Sequence, residues 1–263
     1  MIAYTRSAVR AYLRPPWRAA SRRNAAAYQR GVVCVLAVSD EVDDALYASV
    51  GPVRAAQLIL ACGDLPFDYL GYLMNALDVP LVFVAGNHDP DLAGYRISRA
   101  GLAMRAGLPE RLPWPDGALN AEMQVVDVAG LRVAGLGGCR RYHEGPNQYT
   151  DRQQARRART LARRAARSKL RDGRGVDVLL THAPPRGVGD GDDPPHQGFT
   201  ALNGLVTRLR PALLLHGHVR PAEVTSPDRP LGRTIVRNVT GRHLLDIEPG
   251  GRVRHLPAGR HAS

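Results

Sequence analysis

Five short and almost continuous apolar runs are spaced along the chain, at residues 32–38, 57–62, 81–85, 176–180 and 212–215. Strands that are buried on both faces are apolar at every position, so these runs predict the inner strands of a parallel or mixed sheet. Between the first three runs, residues 43–50 predict a short helix and residues 65–77 predict a helix begun by Pro66. Alternation of strand and helix at this spacing predicts crossover units and an α/β fold.

The rest of the pattern is less regular. Residues 91–115 predict loops with one helix, whereas residues 123–128 and 131–136 predict a hairpin turned by Ala129 and Gly130. The longest helix is predicted to start at Thr150, because Thr150 and Gln153 have the spacing of a capping box. A short helix through Leu209 and strands at 234–239 and 244–247 complete the predicted domain.

A chain of 263 residues is long enough for one large domain. We expect a basic extension at residues 1–31, with a short helix at 19–28, the domain at 32–248, and a polar, frayed tail at 249–263. No run approaches the roughly 20 apolar residues of a membrane span, and Pro15 and Pro16 interrupt any export signal. The three cysteines have no metal-binding spacing and predict reduced thiols in a cytoplasmic protein.

The chain is strongly basic, with a formal net charge of +12 and a pI of about 10.4. Such a balance is typical of nucleic-acid binding, because cations that neutralise phosphates supply most of the non-specific affinity. However, Lys169 is the only lysine, and arginine, alanine, glycine and proline are all abundant, as a GC-rich genome produces. Composition is therefore the simpler interpretation, and a nucleic-acid surface stays an alternative.

Polar residues follow each of the five apolar runs. They are Ser39-Asp40, Gly63-Asp64, Gly86-Asn87-His88-Asp89, Thr181-His182 and His216-Gly217-His218. The carboxyl ends of strands in open α/β sheets meet at one edge, where such folds place their sites. Apart from His88 and Asp89, these motifs contain two aspartates, an asparagine and three histidines, a mixed oxygen and nitrogen donor set that suits transition metals. One ion does not need so many ligands, so the set predicts two ions.

The order of these motifs resembles the calcineurin-like metallophosphoesterase superfamily, and the resemblance extends over residues 32–247. It implies an α/β fold in which two mixed β-sheets pack as a sandwich flanked by helices, in four layers. It also implies two divalent transition-metal ions, manganese, iron or zinc, as cofactors. The metal ligands that it implies are Asp40, Asp64, Asn87, His182, His216 and His218.

By the same resemblance, Asp64 bridges the two ions and His88 is the catalytic imidazole. Asp89 is placed either to hydrogen-bond His88 or to cap the turn. Arg140 and Arg141 are candidates to bind the substrate phosphate.

One position departs from the superfamily pattern. Val42 stands two residues after Asp40, where the superfamily has a histidine. Valine has no ligand atom, so the ion held by Asp40 and His218 is expected to bind more weakly unless water, Glu41 or Asp43 substitutes.

The resemblance implies a metal-dependent phosphoric-ester hydrolase, and we favour a phosphodiesterase that acts on a small-molecule phosphoester. A metal-bound hydroxide would attack phosphorus in line while His88 assists departure of the alkoxide. One alternative is a nuclease that uses the arginine-rich helix. Another is a degenerate, non-catalytic metal-binding scaffold, for which Val42 is the support.

The other five histidines lie outside the motifs, and surface or capping roles are the simpler interpretation for them. His196 is the candidate exception, because it stands with Asp192 and Asp193 just ahead of the last motif. A position lining the substrate mouth is the alternative for this histidine, and a surface or capping role is the favoured interpretation.

Overall fold

The computed structural model describes residues 31–98, 102–220, 228–250 and 252–255. The helices are α1 (Ala45–Ala48), α2 (Phe67–Leu77), α3 (Asp151–Asp172) and α4 (Thr200–Leu209), with 3-10 turns at Gly51–Val53 and Pro194–His196. The strands are β1 (Val33–Ser39), β2 (Leu58–Ala61), β3 (Leu81–Phe83), β4 (Arg96–Ile97), β5 (Ala103–Arg105), β6 (Leu108–Pro109), β7 (Leu119–Asn120), β8 (Val125–Val128), β9 (Leu131–Leu136), β10 (Cys139–Arg140), β11 (Gln148–Tyr149), β12 (Val178–Thr181), β13 (Leu213–His216), β14 (Asp228–Leu231), β15 (Thr234–Asn238), β16 (Gly241–Glu248) and β17 (Arg252–His255).

Two six-stranded sheets form the centre of the molecule. The first has the order β17-β16-β1-β2-β3-β7. Its strands β1, β2, β3 and β7 are parallel, and β16 pairs antiparallel with β1 on one side and with β17 on the other. The second has the order β14-β15-β13-β12-β9-β8, with antiparallel strands only at its two edges. Both sheets are mixed, as predicted.

The sheets pack face to face and helices cover their outer faces. Side chains from both sheets, among them Val35, Leu60 and Leu180, form the core between them. Leu36 points to the opposite side of β1 and packs with α1 and α2, and α3 and α4 pack on the second sheet around Leu179. Because both faces of the inner strands are buried, each strand is apolar throughout. The four-layer α/β sandwich predicted from the resemblance is confirmed.

Two segments differ from the prediction. Residues 91–115 were expected to form loops and one helix, but they contain the small antiparallel sheet β4-β5-β6, and no helix occurs among the described residues of this segment. Residues 252–255, expected in a frayed tail, pair with β16 as the outermost strand β17. The predicted helix at 19–28 lies outside the described residues.

Two further features bear on the prediction. The capping box of the longest helix is confirmed, since Thr150 and Gln153 each accept a hydrogen bond from the other's backbone N–H. None of the helices in the described ranges is both long and apolar enough to cross a membrane.

Candidate metal centre

The carboxyl ends of five strands meet at one edge of the sandwich. Asp40, Asp64 and Asn87 follow β1, β2 and β3 of the first sheet, while His182 follows β12 and His216 ends β13 of the second. The two sheets are joined here by His218, whose backbone N–H donates to the Asp40 carboxylate at 3.0 and 3.1 Å. Within the second sheet, the Gly217 N–H donates to the carbonyl of His182 at 3.0 Å. The structure thus brings all six predicted ligands to one edge.

Three of these residues adopt left-handed backbone conformations. The φ angles are 61° at Asp40, 58° at Asp64 and 65° at His218. Non-glycine residues rarely adopt positive φ, and the strain is tolerated where surrounding contacts hold it, often at functional sites. Here the Asp40 N–H donates to the carbonyl of Gly63 at 3.2 Å, and the Asp64 N–H donates to Asp89 at 3.0 Å. These sharp turns direct the side chains toward the shared edge.

Gly86 allows the end of the third strand to pass directly beside the cluster. A Cβ at this position would lie 2.1 Å from Oδ1 of Asp64 and 2.7 Å from Cε1 of His182. Any side chain at this position would therefore displace two of the predicted ligands, which explains the glycine that opens the Gly86-Asn87-His88-Asp89 motif.

His182 lies at the centre of the cluster and is fully buried. Its Nδ1–H donates to the carbonyl of Cys62 at 2.8 Å. Its Nε2 therefore faces two oxygens, Oδ1 of Asn87 at 3.0 Å and Oδ2 of Asp64 at 3.3 Å. An imidazole lone pair and two oxygen acceptors converge on one point, and such a point favours a cation.

The pKa values of this pair show the same preference. Burial lowers the pKa of an imidazole, but the Asp64 carboxylate outweighs burial and raises the pKa of His182 to about 9. Burial likewise acts to raise the pKa of Asp64, yet His182 and the backbone N–H of His88 hold it below its ordinary value. In the protein without metal, a proton on Nε2 of His182 occupies the position of the cation.

The other two ligand histidines are neutral. Burial, reinforced by His182, lowers the pKa of His216 and that of His218 to about 4. Nδ1 of His216 donates to the carbonyl of Gly217 at 3.0 Å, and Nε2 of His218 donates to the carbonyl of Pro195 at 2.8 Å. Each ring keeps one nitrogen with a lone pair, which is the form in which histidine binds metals.

These residues fit a divalent transition-metal ion. Ligand atoms of Asp64, His182 and His218 all lie within 4.8 Å of one another. Together with the Asn87 amide oxygen they form the mixed oxygen and nitrogen donor set that such ions prefer.

The structure explains why position 42 contributes nothing to this set. Val42 is half-buried and packs against the apolar cluster beneath α1 and α2. Of the possible substitutes, Asp43 accepts the Ala45 N–H at 3.0 Å and pairs with Arg242 at 3.0 Å. Its carboxylate is thus engaged away from the cluster.

His88 and Asp89 have different environments. His88 is exposed, and its backbone N–H donates to Oδ1 of Asp64 at 2.8 Å, so its ring stands beside the cluster in contact with solvent. Asp89 is buried, and its Oδ2 accepts the N–H groups of Gly86 at 2.7 Å and Asp64 at 3.0 Å. Of the two interpretations of Asp89, turn capping is the one that the structure confirms.

The two predicted phosphate-binding arginines have separate positions. Arg140 donates to Oε1 of Gln197 at 2.7 Å and lies 3.5 Å from Asp151, beside the loop that contacts His218. Arg141 is exposed and directed toward the start of α3, where it donates to Gln153 at 3.4 Å. Their role in substrate binding stays a prediction.

Sequence reasoning missed several groups that orient the ligands. The Tyr142 hydroxyl accepts a hydrogen bond from Nδ2 of Asn87 at 3.3 Å, which directs Oδ1 of Asn87 toward His182. The carbonyls of Cys62 and Pro195 do the same for His182 and His218. Backbone carbonyls carry no sequence signal, and Tyr142 stands in a loop without periodicity.

Comparison with known proteins identifies a family and several structural neighbours. A family model described as calcineurin-like phosphoesterase matches residues 42–220. The solved structure of TT1561 of Thermus thermophilus is 16% identical, and the match covers 87% of this chain and 100% of that one with a TM-score of 0.54. Vacuolar Protein Sorting 29 from Cryptosporidium parvum is 14% identical, covering 87% and 94% of the two chains with a TM-score of 0.40.

A comparison with curated proteins finds no match. The family model spans more than half of the chain, and the fold agrees with it. The chain therefore belongs to the calcineurin-like phosphoesterase family, whose chemistry is metal-dependent hydrolysis of phosphoesters.

Proposed function

We propose that this protein is a metal-dependent phosphodiesterase that acts on a small-molecule diester. The observation that carries the proposal is the position of His182. Its Nε2 shares one point with Oδ1 of Asn87 and Oδ2 of Asp64, while its Nδ1 is committed to a carbonyl. A buried convergence of this kind is costly unless a cation satisfies it.

Two ion positions account for the ligand set. Asn87, His182 and His216 would hold the first ion, Asp40 and His218 the second, and Asp64 would be shared between them. Divalent manganese, iron or zinc suits these donors. When bound, such ions neutralise the phosphate oxygens and lower the pKa of water, so that it attacks phosphorus near neutral pH. We propose that the second position binds more weakly, because Val42 supplies no ligand.

We propose that His88 acts on the leaving group. Its backbone is fixed by the hydrogen bond to Asp64, while its side chain is exposed beside the cluster. An imidazolium there can give its proton to the departing alkoxide oxygen. Without that proton an alkoxide is strongly basic and therefore a poor leaving group. The same ring can hydrogen-bond the phosphate oxygens and orient the ester.

The charge around the cluster favours a diester over a monoester. Asp192 and Asp193 are exposed on the loop that contacts His218, on which Asp190 pairs with Arg186 at 3.6 Å. Arg140 is already engaged by Gln197 and Asp151. A phosphate monoester carries close to two negative charges at neutral pH, whereas a diester carries one. The acidic loop therefore repels a monoester more strongly.

The test compares bis-p-nitrophenyl phosphate with p-nitrophenyl phosphate as substrates of the manganese-loaded protein. We expect kcat/KM to be at least about tenfold higher for the diester, since one unit charge near acidic groups changes the binding free energy by about 1.4 kcal/mol. Faster hydrolysis of the monoester would contradict the proposed diester preference.

The role of His88 has its own test. His88→Ala should lower kcat on the diester by about 10²- to 10⁴-fold, the usual contribution of a general acid, while the manganese content stays that of the wild type. The control is His143→Phe, which removes an exposed imidazole on another loop and keeps an aromatic ring against Tyr142. Normal turnover by the His88 variant would show that this role is wrong. Metal retention by the wild type without turnover of any ester would instead favour a non-catalytic scaffold.

One observation supports the nuclease alternative. Arg152, Arg156, Arg159, Arg163 and Arg167 are exposed on α3 at three- or four-residue spacing, and we call them the arginine row. No carboxylate in the described ranges forms an ion pair with them. If the row binds a nucleic-acid backbone, the logarithm of the affinity for single-stranded DNA should fall linearly with the logarithm of the salt concentration. The slope should be about 0.7 per phosphate contacted, and kcat/KM for cleavage should fall with it. Salt-independent activity would exclude this alternative.

A further inference from the structure

A structured loop covers one of the predicted ligands. Asp190 fixes the loop by accepting the N–H groups of Gly187 at 2.9 Å and Gly198 at 3.0 Å. Pro194–His196 form a 3-10 turn whose Pro195 carbonyl accepts a hydrogen bond from Nε2 of His218 at 2.8 Å. The loop is therefore held against the cluster through defined contacts.

This loop places another imidazole beside His218. The ring centroids of His196 and His218 are 5.3 Å apart, close to the 4.8 Å between the rings of His182 and His218. The side chain of His196 is 41% exposed, so its ring borders both the cluster and the solvent.

Asp193 fixes the orientation of this imidazole. Its Oδ2 lies 2.7 Å from Nδ1 of His196. Since a carboxylate oxygen accepts, Nδ1 carries the proton, and Nε2 of a neutral ring keeps the lone pair. His182 and His216 are arranged in the same way, each with Nδ1 donating to a carbonyl. A carboxylate behind a histidine is the usual arrangement for metal-ligating imidazoles.

The second ion position is also where the predicted ligand set lacks an imidazole, because Val42 stands where the superfamily pattern has a histidine. Asp40 and His218 are joined by the His218 backbone N–H, but Val42 packs in the core instead of joining them. We propose that His196, positioned by Asp193, supplies a nitrogen ligand to the ion held by Asp40 and His218. This inference rests on the proposed function, since it needs an ion at that position. Because His196 is on an exposed loop, the second ion remains the weaker one.

The experiment titrates the full-length, metal-free protein with Mn²⁺ and follows the free ion by its electron paramagnetic resonance signal. The wild type should bind two ions, the second more weakly. In His196→Ala the second affinity should fall by at least about tenfold, while the first stays unchanged. Asp193→Asn should cause a smaller loss at the second position only. His143→Phe, which keeps an aromatic ring against Tyr142, is the control and should bind as the wild type does.

The outcomes separate this inference from the proposed function. Two ions bound with wild-type affinities by His196→Ala would overturn the role of His196, as would a wild type that binds a single ion. In the first case the proposed hydrolase would stand unchanged, and in the second it would stand with one ion in place of the two proposed. A wild type that binds no Mn²⁺ would overturn both the inference and the proposed function. Thermal unfolding of the metal-free variants should match the wild type, because His196 is on an exposed loop.

Discussion

Among single residues, His182 determines how the protein exchanges a proton for a metal. Its pKa of about 9 makes it cationic at neutral pH in the protein without metal, whereas His216, with a pKa of about 4, is neutral. Binding of the first Mn²⁺ at pH 7 should therefore release about one proton. Calorimetry in buffers of different ionisation enthalpy measures this number. If Mn²⁺ binding releases no proton at pH 7, His182 is not protonated in the metal-free protein.

The same shift predicts a stability change. The pKa of His182 is higher in the folded protein than the ordinary value of 6.5, so it stabilises the metal-free fold below pH 6.5. This contribution is lost as the pH rises from 6.5 through 9. Urea unfolding in the presence of a chelator should show the midpoint falling over that window.

At the scale of elements, Arg132 ties the hairpin of β8 and β9 to the end of α3. Its buried guanidinium donates to Asp127 at 2.8 and 2.9 Å and to Asp172 at 2.9 and 2.7 Å. Hydrogen bonds from Arg132 hold the pKa of both carboxyls below the ordinary value of 3.8. The stability that they provide is present above pH 3.8 and is lost as the pH falls below it.

Replacement of Arg132 tests this tie. Arg132→Met should lower the urea midpoint at pH 7 and flatten its decline below pH 4, because the two carboxyls then titrate nearly as in the unfolded chain. The matched control is Arg171→Met, which removes an arginine that is 68% exposed beside the same Asp172. If the urea midpoint of Arg132→Met falls below pH 4 as steeply as that of the wild type, other titrating groups cause the acid-induced loss of stability.

The elements also show which parts of the fold the sequence can reveal. β1, β2, β3, β12 and β13 are inner strands, so burial on both faces makes them continuous apolar runs that can be read directly. β14 and β17 are edge strands, and β4 to β6 form a small separate sheet, so their pairing depends on neighbours that are distant in the chain. The ligand types follow from the motifs, but the contact between His196 and His218 depends on the turn at Pro194–His196, which no periodicity encodes.

For the whole molecule, the predicted metal ligands come from both sheets, so an ion bound by them would hold the sandwich together at one edge. Leu213 is fully buried in the core between the sheets, at the opposite end of β13 from His216. Leu213→Ala should destabilise the metal-free protein by about 3 kcal/mol. Mn²⁺ at 100 times its dissociation constant should restore about 2.7 kcal/mol, because it binds only the folded chain.

Urea unfolding with and without Mn²⁺ measures both effects, and Asp64→Ala provides the control. This variant lacks the carboxylate that faces His182, so Mn²⁺ should leave its unfolding midpoint unchanged. Equal stabilisation of the Asp64 variant would mean that the ion binds elsewhere on the protein. The gain in Leu213→Ala should match that of the wild type if the opposite ends of β13 act independently, because their free energies then add. A smaller gain would show that the core between the sheets also sets the geometry of the ligands.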